Sequence, residues 1–420
     1  MPRKAVYAWA LYDWANSAFT TTVMAGFFPV FYKQYWAGSV DTTTSTFQLG
    51  LGNSLSSLII VILAPFLGAV ADFSRRRKQF LAVFAIFGAS ATALLYSAGQ
   101  GDWAAALMLY IAATIGFMGA NIFYDALLVF VSDNTNRDRV SALGYALGYL
   151  GGGLLFAVNV AMTLSPEAFG LANATEAIKI SFLTVSVWWL IFSIPLWRYV
   201  PEGSGRESLP LRIALRTGWH NLLQTLRRIR RLKPVVLFLL AYWLYIDGVD
   251  TIVRMAVDYG LAIGLQHTDL ITALLITQFV GFPAALAFGH IGQRWGTRRG
   301  IFLGIGVYIA AVIGAAMITT ARDFYILAAI IGLVQGGVQS LSRSYYADLI
   351  PPQHCAEFFG FYNMMGKTAT LLGPLLVGVV AMTTDSHRAG LLAIIVLFLG
   401  GAWILTKVEP ARPSPETRPD

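Results

Sequence analysis

The sequence predicts an all-α membrane protein with twelve transmembrane helices in two pseudo-symmetric bundles of six. The chain has 420 residues, of which 56% are hydrophobic and 12% are charged, whereas soluble domains average about 25% charged residues. Its apolar residues gather into twelve long stretches, and about 20 apolar residues cross the hydrocarbon core of a bilayer as a helix. Because lipid offers no hydrogen-bond partner to an open strand, these stretches are predicted to be helices.

The order of the stretches divides the chain into two halves. In chain order they cover 8–32, 47–71, 80–99, 103–131, 142–164, 178–200, 235–263, 270–292, 300–320, 324–347, 359–383 and 388–406. The first stretch is longer than the core of a signal peptide and has no small-residue cleavage pattern, so it is predicted to be a retained helix. We expect an N-terminal bundle at 1–200, a linker at 201–234, a C-terminal bundle at 235–406 and a disordered tail at 407–420.

Positive charge predicts the orientation of the chain in the membrane. Most of the 30 Lys and Arg residues lie in every second gap between stretches, as is typical of cytoplasmic loops. Both termini are therefore predicted to be cytoplasmic, in agreement with an even number of helices. The net charge of +8 is explained as a topology signal, so we expect no nucleic-acid partner. The compact chain with short loops is typical of a bacterial inner-membrane protein.

The linker carries an amphipathic pattern. Apolar residues recur every three or four positions, and arginines flank them; the apolar positions are Leu211, Leu215, Trp219, Leu222, Leu226 and Ile229. This pattern predicts an interfacial helix on the cytoplasmic leaflet at 211–231. Two interpretations stay open: a tether between the halves that its charge holds at the membrane, and a specific site for anionic lipid.

Several classes of function find no support in the sequence. The single cysteine, Cys355, excludes an intramolecular disulfide. No phosphate-binding loop is present, and the five histidines lack the spacing of a metal site. Since no arrangement for covalent catalysis is visible either, we expect no enzyme activity, no cofactor and no metal. We expect the protein to be a monomer.

The two halves resemble each other in sequence. The first stretch contains Tyr12-Asp13-Trp14-Ala15-Asn16-Ser17, and the seventh contains Tyr245-Ile246-Asp247-Gly248-Val249-Asp250-Thr251. In this alignment Asp13 matches Asp247 and Asn16 matches Asp250. Duplicated six-helix halves are typical of transporters that bind their solute near the midplane, between the halves.

The loop after the second stretch resembles the signature G-x-x-x-D-x-x-G-R-R of the major facilitator superfamily. Gly68, Asp72, Arg76 and Arg77 match it, and Arg75 stands where the signature has its second glycine. A second copy follows the eighth stretch, in which Gly289 and Gly296 are kept and Gln293 replaces the acid. The resemblance covers essentially the whole chain and implies the major facilitator fold.

Further segments resemble one family within that superfamily. These are Tyr12 to Phe19, Phe123 to Leu128, Gln339 to Ser344 and Leu349-Ile350-Pro351. They are similar to the autophagy-related vacuolar amino-acid effluxers and their bacterial permease relatives, although asparagine is typical where Asp125 stands. The resemblance implies efflux of neutral amino acids from a vacuole, but it does not identify the substrate of a bacterial relative.

The resemblance also implies a cytoplasmic gate. In related transporters the signature lies between the halves, where an acid accepts hydrogen bonds from the N-terminal amides of a facing helix. We expect Asp72 to do this towards Glu357 to Gly360, with Arg76 and Arg77 holding it in place. For the arginines, a plain role as positive membrane anchors stays open.

Other charged residues of the stretches are further gate candidates. Asp125 and Arg343 lie at comparable depths in the two halves, so they could pair across the gate. For Lys367, two alternatives are open: extension of its ammonium group to the interface, and pairing with an acid or a substrate carboxylate.

The seventh stretch contains the densest set of charges within the membrane. Asp247, Asp250, Arg254 and Asp258 are spaced by three or four residues and share one helix face. A charge costs about 2.5–3.5 kcal/mol at the centre of a bilayer on insertion scales, so this face should meet a cavity. We predict Asp247 or Asp250 to carry a proton, with Arg254 pairing an acid or a substrate carboxylate. The alternative is a closed ion-pair network that only locks the halves together.

Polar residues elsewhere complete the candidate binding site. Asp13 and Asn16 share a face of the first stretch, and the aromatic residues Tyr12 and Tyr245 lie beside the paired acids Asp13 and Asp247. Outside these two segments, Asn121 and Gln339 are polar at positions that are prone to face a cavity. Asp13 lies close to the cytoplasmic end, so a solvated role or a helix cap competes with substrate binding there.

These observations lead to one main hypothesis and two alternatives. The main hypothesis is a secondary transporter that moves a small polar solute, such as an amino acid or another zwitterion, by proton-coupled alternating access. The first alternative is an exporter of amphiphilic drugs or lipid-like compounds. The second is a receptor or scaffold without transport activity, which the short loops disfavour.

Overall fold

The computed structural model describes residues 3–202, 213, 232–262, 265–318, 320–369, 372–384 and 386–409. Within these ranges, the side chains of residues 42–43, 254–262, 267 and 387 are not described. Apart from Ile213, the predicted interfacial helix at 211–231 therefore lies outside the described residues, as does most of the predicted tail.

The described residues form helices and contain no strand. Their α-helices are α1 (Arg3–Ala18), α2 (Thr42–Ser74), α3 (Arg77–Leu94), α4 (Trp103–Val131), α5 (Arg137–Leu164), α6 (Ala174–Tyr199), α7 (Lys233–Ala262), α8 (His267–Trp295), α9 (Thr297–Ala315), α10 (Ala321–Leu349), α11 (Cys355–Thr368), α12 (Leu372–Thr384), α13 (His387–Ala393) and α14 (Ile395–Thr406). Among the described residues, eleven helices are long and apolar enough to cross a membrane.

The first stretch is helical but is not one α-helix. After α1 the backbone continues as π-helix over Phe19–Phe27, as a single α-turn over Phe28–Phe31 and as π-helix over Tyr32–Trp36. The sequence-based expectation of one regular helix over 8–32 is therefore wrong in detail, and the helical segment is longer than predicted. Extended π-helix is rare and is often found at functional sites.

The predicted stretch 359–383 is described as two helices. Helix α11 ends at Thr368 and α12 begins at Leu372, and residues 370–371 between them lie outside the described residues. The N-terminus of α12 lies inside the bundle, where its amides need partners.

The signature turn forms without its second glycine. Arg75 ends α2 in the left-handed conformation, with φ 54° and ψ 40°, and among the described residues no other non-glycine has a positive φ. This conformation costs a non-glycine residue roughly 1–2 kcal/mol. The surrounding structure, and not a glycine in the local sequence, therefore stabilises this turn.

Two close contacts join the first six stretches to the last six, and we name them the first and the second seam. In the first seam α2 packs against α11, and a Cβ atom on Gly68 would lie 2.3 Å from the Ala356 carbonyl oxygen. In the second seam α5 packs against α8 and α10, and a Cβ atom on Gly289 would lie 2.6 Å from that of Ala142. Both glycines begin a copy of the signature, so its first position serves close helix packing. Both seams lie at the same end of the bundle, where the loops 75–76, 132–136 and 350–354 are found. We call this end of the bundle the basic end.

Candidate functional site

Arg343 is the centre of a buried polar cluster between the two halves. Its side chain on α10 is 2% exposed, although a lone buried charge would be strongly unfavourable. The guanidinium donates to Asp125 of α4 at 3.1 Å and lies 3.7 Å from an Asp13 oxygen on α1. It also donates to the hydroxyl and the carbonyl of Ser141 on α5, at 3.0 and 2.8 Å. One arginine therefore connects three helices of the first half to α10.

Aromatic rings enclose the guanidinium. The Arg343 Cζ atom lies 4.9 Å from the Trp9 ring centroid, 5.3 Å from that of Tyr124 and 4.4 Å from that of Tyr145. Such positions favour a cation over the faces of the rings. The Tyr124 hydroxyl also donates to Asp13 at 3.1 Å. The cluster thus combines one cation, two carboxylates and a low-polarity wall.

Two glycines of α5 leave the room that this cluster occupies. A Cβ atom on Gly144 would lie 2.7 Å from the Tyr124 hydroxyl and 3.1 Å from an Arg343 nitrogen. A Cβ atom on Gly148 would lie 3.3 Å from an Asp13 oxygen. The glycines thus let α5 approach close enough for Ser141 and Tyr145 to reach the arginine.

The second oxygen of Asp125 links the cluster to α11. It accepts a hydrogen bond from the Asn363 side chain at 3.1 Å. Lys367 follows one helical turn later, is half-buried and lies within electrostatic range of Asp125. Asp125 therefore contacts α10 and α11 at once, so it joins elements of both halves.

Asp247 has a partner that the sequence did not reveal. Its side chain is fully buried and accepts hydrogen bonds from the backbone amides of Leu372 and Gly373 at 3.0 to 3.1 Å, with the Thr251 hydroxyl at 3.3 Å. These amides are the N-terminus of α12, where the helix dipole favours a negative charge. A Cβ atom on Gly373 would lie 1.9 Å from the Thr251 oxygen, so glycine is required for this approach.

The remaining charges of α7 are described only in part. Asp250 lies one turn after Asp247, is half-buried and is within electrostatic range of Tyr145 on α5. It therefore faces the region between the halves. The side chain of Arg254, predicted to pair an acid or a substrate carboxylate, lies outside the described residues, as does that of Asp258.

The other predicted binding residues are packed to different degrees. Tyr12 and Tyr245 are fully buried, with the Trp189 indole donating to the Tyr12 hydroxyl at 3.4 Å and Tyr245 hydrogen-bonded to a serine of α10 at 2.6 Å. Asn16 is 1% exposed and donates to the half-buried Asn121 at 2.6 Å. Gln339 is half-buried. The two tyrosines therefore pack between helices here and do not line open space.

Asp72 closes the first seam. It is 7% exposed and accepts backbone hydrogen bonds from Glu357 at 2.8 Å and from Ala356 at 3.2 Å, and both amides lie in the first turn of α11. Arg77 donates to the same carboxylate at 2.6 Å. Arg76 is exposed and makes no such contact, so only one of the two arginines predicted to hold Asp72 reaches it.

Four residues of the cluster were missed by the sequence analysis, namely Trp9, Ser141, Tyr145 and Asn363. A weak signal exists for the last three, because Ser141 and Tyr145 are spaced by four residues on α5, as are Asn363 and Lys367 on α11. That spacing puts two polar groups on one helix face. In the described part of the chain, no group of three or more metal-ligating side chains is found.

Comparisons with known proteins agree with this architecture. The family described as "Vacuole effluxer Atg22 like" matches residues 35–417. YxiO of Bacillus subtilis (strain 168), an uncharacterized MFS-type transporter, is 38% identical over 403 residues, which are 96% of this chain and 94% of that protein. Autophagy-related protein 22-1 of Aspergillus niger is 26% identical over 283 residues, which are 62% of this chain and 45% of the fungal protein. The match thus spans about half the length of that relative.

Solved structures show the same fold at low sequence identity. The human organic anion transporter MFSD10 has a TM-score of 0.74 at 16% identity, over 96% of this chain and 100% of that one. The proton:xylose symporter XylE has a TM-score of 0.66 at 13% identity, over 97% and 95% of the two chains. The predicted fold class, two bundles of six transmembrane helices, is thereby confirmed.

Proposed function

The chain belongs to the Atg22-like family of the major facilitator superfamily, whose members are transporters and not enzymes, and from that premise we propose that it moves a small zwitterion such as an amino acid by alternating access. The observation that carries this proposal is the buried cluster of Arg343, Asp125 and Asp13 at the junction of the halves. Groups of both charges in one buried cluster suit a solute that carries an ammonium group and a carboxylate.

The two seams support alternating access. Both join the halves at the basic end, where Asp72 and the glycines Gly68 and Gly289 hold the helices together. Opening of that end requires these contacts to break, since packed interfaces switch between discrete arrangements. We propose that the basic end is the cytoplasmic side of the bacterial inner membrane and that 1–200 and 235–406 move as the two units. The linker at 201–234 would then tether them, with anionic lipid as a further partner of 211–231.

Asp247 and Asp250 are the proposed proton carriers. Asp247 caps the N-terminus of α12 in its ionised form, and a proton would weaken its hydrogen bonds to the two amides. Asp250 lies one turn away on the side of the region between the halves. Protonation of this pair would therefore change how α7 holds α12, and a proton gradient could bias the orientation of the transporter.

The substrate class is tested by ligand-dependent stability of the purified protein. A ligand that binds only the folded state raises the melting temperature by mass action. We expect amino acids or other zwitterions to raise it at two pH values, with a larger shift at one of them. A shift with amphiphilic drugs alone would instead favour the exporter of amphiphilic compounds and would contradict the zwitterion proposal.

Neutralising the α7 acids tests the proton coupling. In proteoliposomes, Asp250→Asn and Asp247→Asn are expected to lose gradient-driven accumulation by tenfold or more and to retain solute exchange, because exchange needs no net proton movement. Asp102→Asn, at an exposed acid before α4, is the matched control and should accumulate solute normally. Accumulation at the wild-type level in both α7 variants would remove these residues from the coupling mechanism.

A further inference from the structure

The second copy of the signature lacks the acid of the first, and the structure shows what stands in its place. Gln293 occupies the position that corresponds to Asp72. Its side-chain amide donates a hydrogen bond to the backbone carbonyl of Thr135 at 2.8 Å. Thr135 lies just before α5, so Gln293 of α8 reaches across the second seam, as Asp72 of α2 reaches across the first.

An acid is nevertheless present in the second seam, on the opposite helix. Asp138 in the first turn of α5 accepts hydrogen bonds from the Thr297 hydroxyl at 2.8 Å and from the Ser344 hydroxyl. Thr297 begins α9 within the second signature copy, and Ser344 lies on α10. A carboxylate in the first turn of a helix is also favoured by the helix dipole.

The approach of Asp138 depends on the second signature copy. A Cβ atom on Gly292 would lie 2.8 Å from an Asp138 oxygen, so the absence of a side chain there makes room for the acid. Arg137, the residue before it, pairs with Asp348 at the end of α10. Two consecutive residues of α5 thus bind α9 and α10 across the seam.

The direction of hydrogen bonding is therefore reversed between the seams. In the first seam the acid belongs to the signature and the facing helix donates. In the second seam the facing segment presents a carbonyl at Thr135, which requires a donor such as Gln293, and the acid comes from α5. A carboxylate at position 293 would oppose the Thr135 carbonyl and add a second negative charge beside Asp138.

We propose that Asp138 is the gating acid of the second seam, where it replaces the missing signature acid from the opposite helix and helps to hold the basic end closed. This inference rests on the proposed alternating access. It has an unusual consequence, since restoring the signature acid by Gln293→Glu should weaken the seam rather than strengthen it. Asp138 acts as a positioning residue and is not required to touch the solute.

Cys355 provides a native reporter of opening at the basic end. It is the single cysteine of the chain, is fully buried in the first seam and lies 3.9 Å from Asp72. A buried thiol reacts only when its surroundings open, so its alkylation rate follows the open population when reclosing is fast. Because Cys355 lies in the other seam, a purely local effect of Asp138 would leave its reactivity unchanged.

The test is the rate of Cys355 alkylation by a water-soluble maleimide in nanodiscs at constant pH. We expect Asp138→Asn to be alkylated about tenfold faster than wild type, which corresponds to about 1.4 kcal/mol, close to the lower end of the contribution of hydrogen bonds to a charged group. Gln293→Glu should also react faster. Asp102→Asn is the matched control, because the side chain of this exposed acid bonds to Gly99 in its own loop before α4, and it should react at the wild-type rate.

Two further variants separate the possible outcomes. If Asp138→Asn does not fold, Thr297→Val removes one of the two hydroxyl donors to the Asp138 carboxylate and should react at least about threefold faster. Gly68→Ala opens the first seam directly, and failure of this variant to react faster would contradict the proposed role of the first seam in alternating access. Unchanged alkylation in Asp138→Asn or Gln293→Glu, or slower alkylation in Gln293→Glu, overturns the assignment of Asp138. The readout needs no solute and no proton gradient, so it does not depend on the proposed substrate.

Discussion

Replacing Arg343 by methionine is expected to abolish transport and to lower the free energy of unfolding by about 3–5 kcal/mol, the usual effect of removing one partner of a buried ion pair. The guanidinium is 2% exposed and lies within 3.1 Å of Asp125 and 3.7 Å of Asp13. Without it, both carboxylates would remain in a buried region with no cation between them. Thermal unfolding and uptake into proteoliposomes measure the two effects.

Matched variants separate charge from geometry at this site. Arg343→Lys keeps the positive charge and loses the planar fork that reaches Asp125 and Ser141 together, so it should recover stability only in part. Combining Arg343→Met with Asp125→Asn removes one of the two uncompensated carboxylates. The double variant should therefore be more stable than Arg343→Met and still inactive. If Arg343→Met keeps wild-type stability, the cluster does not hold the halves together.

Adding one methyl group to Gly68 is expected to abolish transport by forcing the first seam apart. The new Cβ atom would lie 2.3 Å from the Ala356 carbonyl oxygen and 2.8 Å from the Glu357 Cα atom. Both neighbours are backbone atoms, which cannot rotate away as a side chain can. Helix α2 must then move away from α11, and Asp72 loses its contact with the N-terminal amides. Alkylation of Cys355 and solute uptake report this change.

Gly50 offers a control on the same helix. A Cβ atom at this position of α2 would meet nothing within 4 Å, so Gly50→Ala should keep transport and gain up to about 1 kcal/mol of helix stability. Wild-type uptake by Gly68→Ala, together with slow alkylation of Cys355, would show that the seam tolerates a wider separation. The close approach at Gly68 would then have no role in gating.

Local patterns in the sequence were sufficient for the fold class and the family. Long apolar stretches predict membrane helices because hydrophobic length is a property of each segment alone. The duplicated segments around Asp13 and Asp247, and the signature around Gly68 and Asp72, led to the family before any contact was known. The predicted roles of Arg254 and of the linker at 211–231 lie outside the described residues and stay predictions.

The identity of each charged residue's partner was decided by the tertiary structure. The sequence grouped Asp247 with the other charges of its own helix, whereas its hydrogen bonds go to the amides of Leu372 and Gly373, more than a hundred residues away. Asp138 was not singled out by any pattern, because its role depends on which helix packs against the second signature copy. The sequence by itself determined the fold class, the family and the residues that needed a partner. Only the packing of the helices decided which partners they have, because a buried charge bonds to whatever donor the neighbouring helix presents.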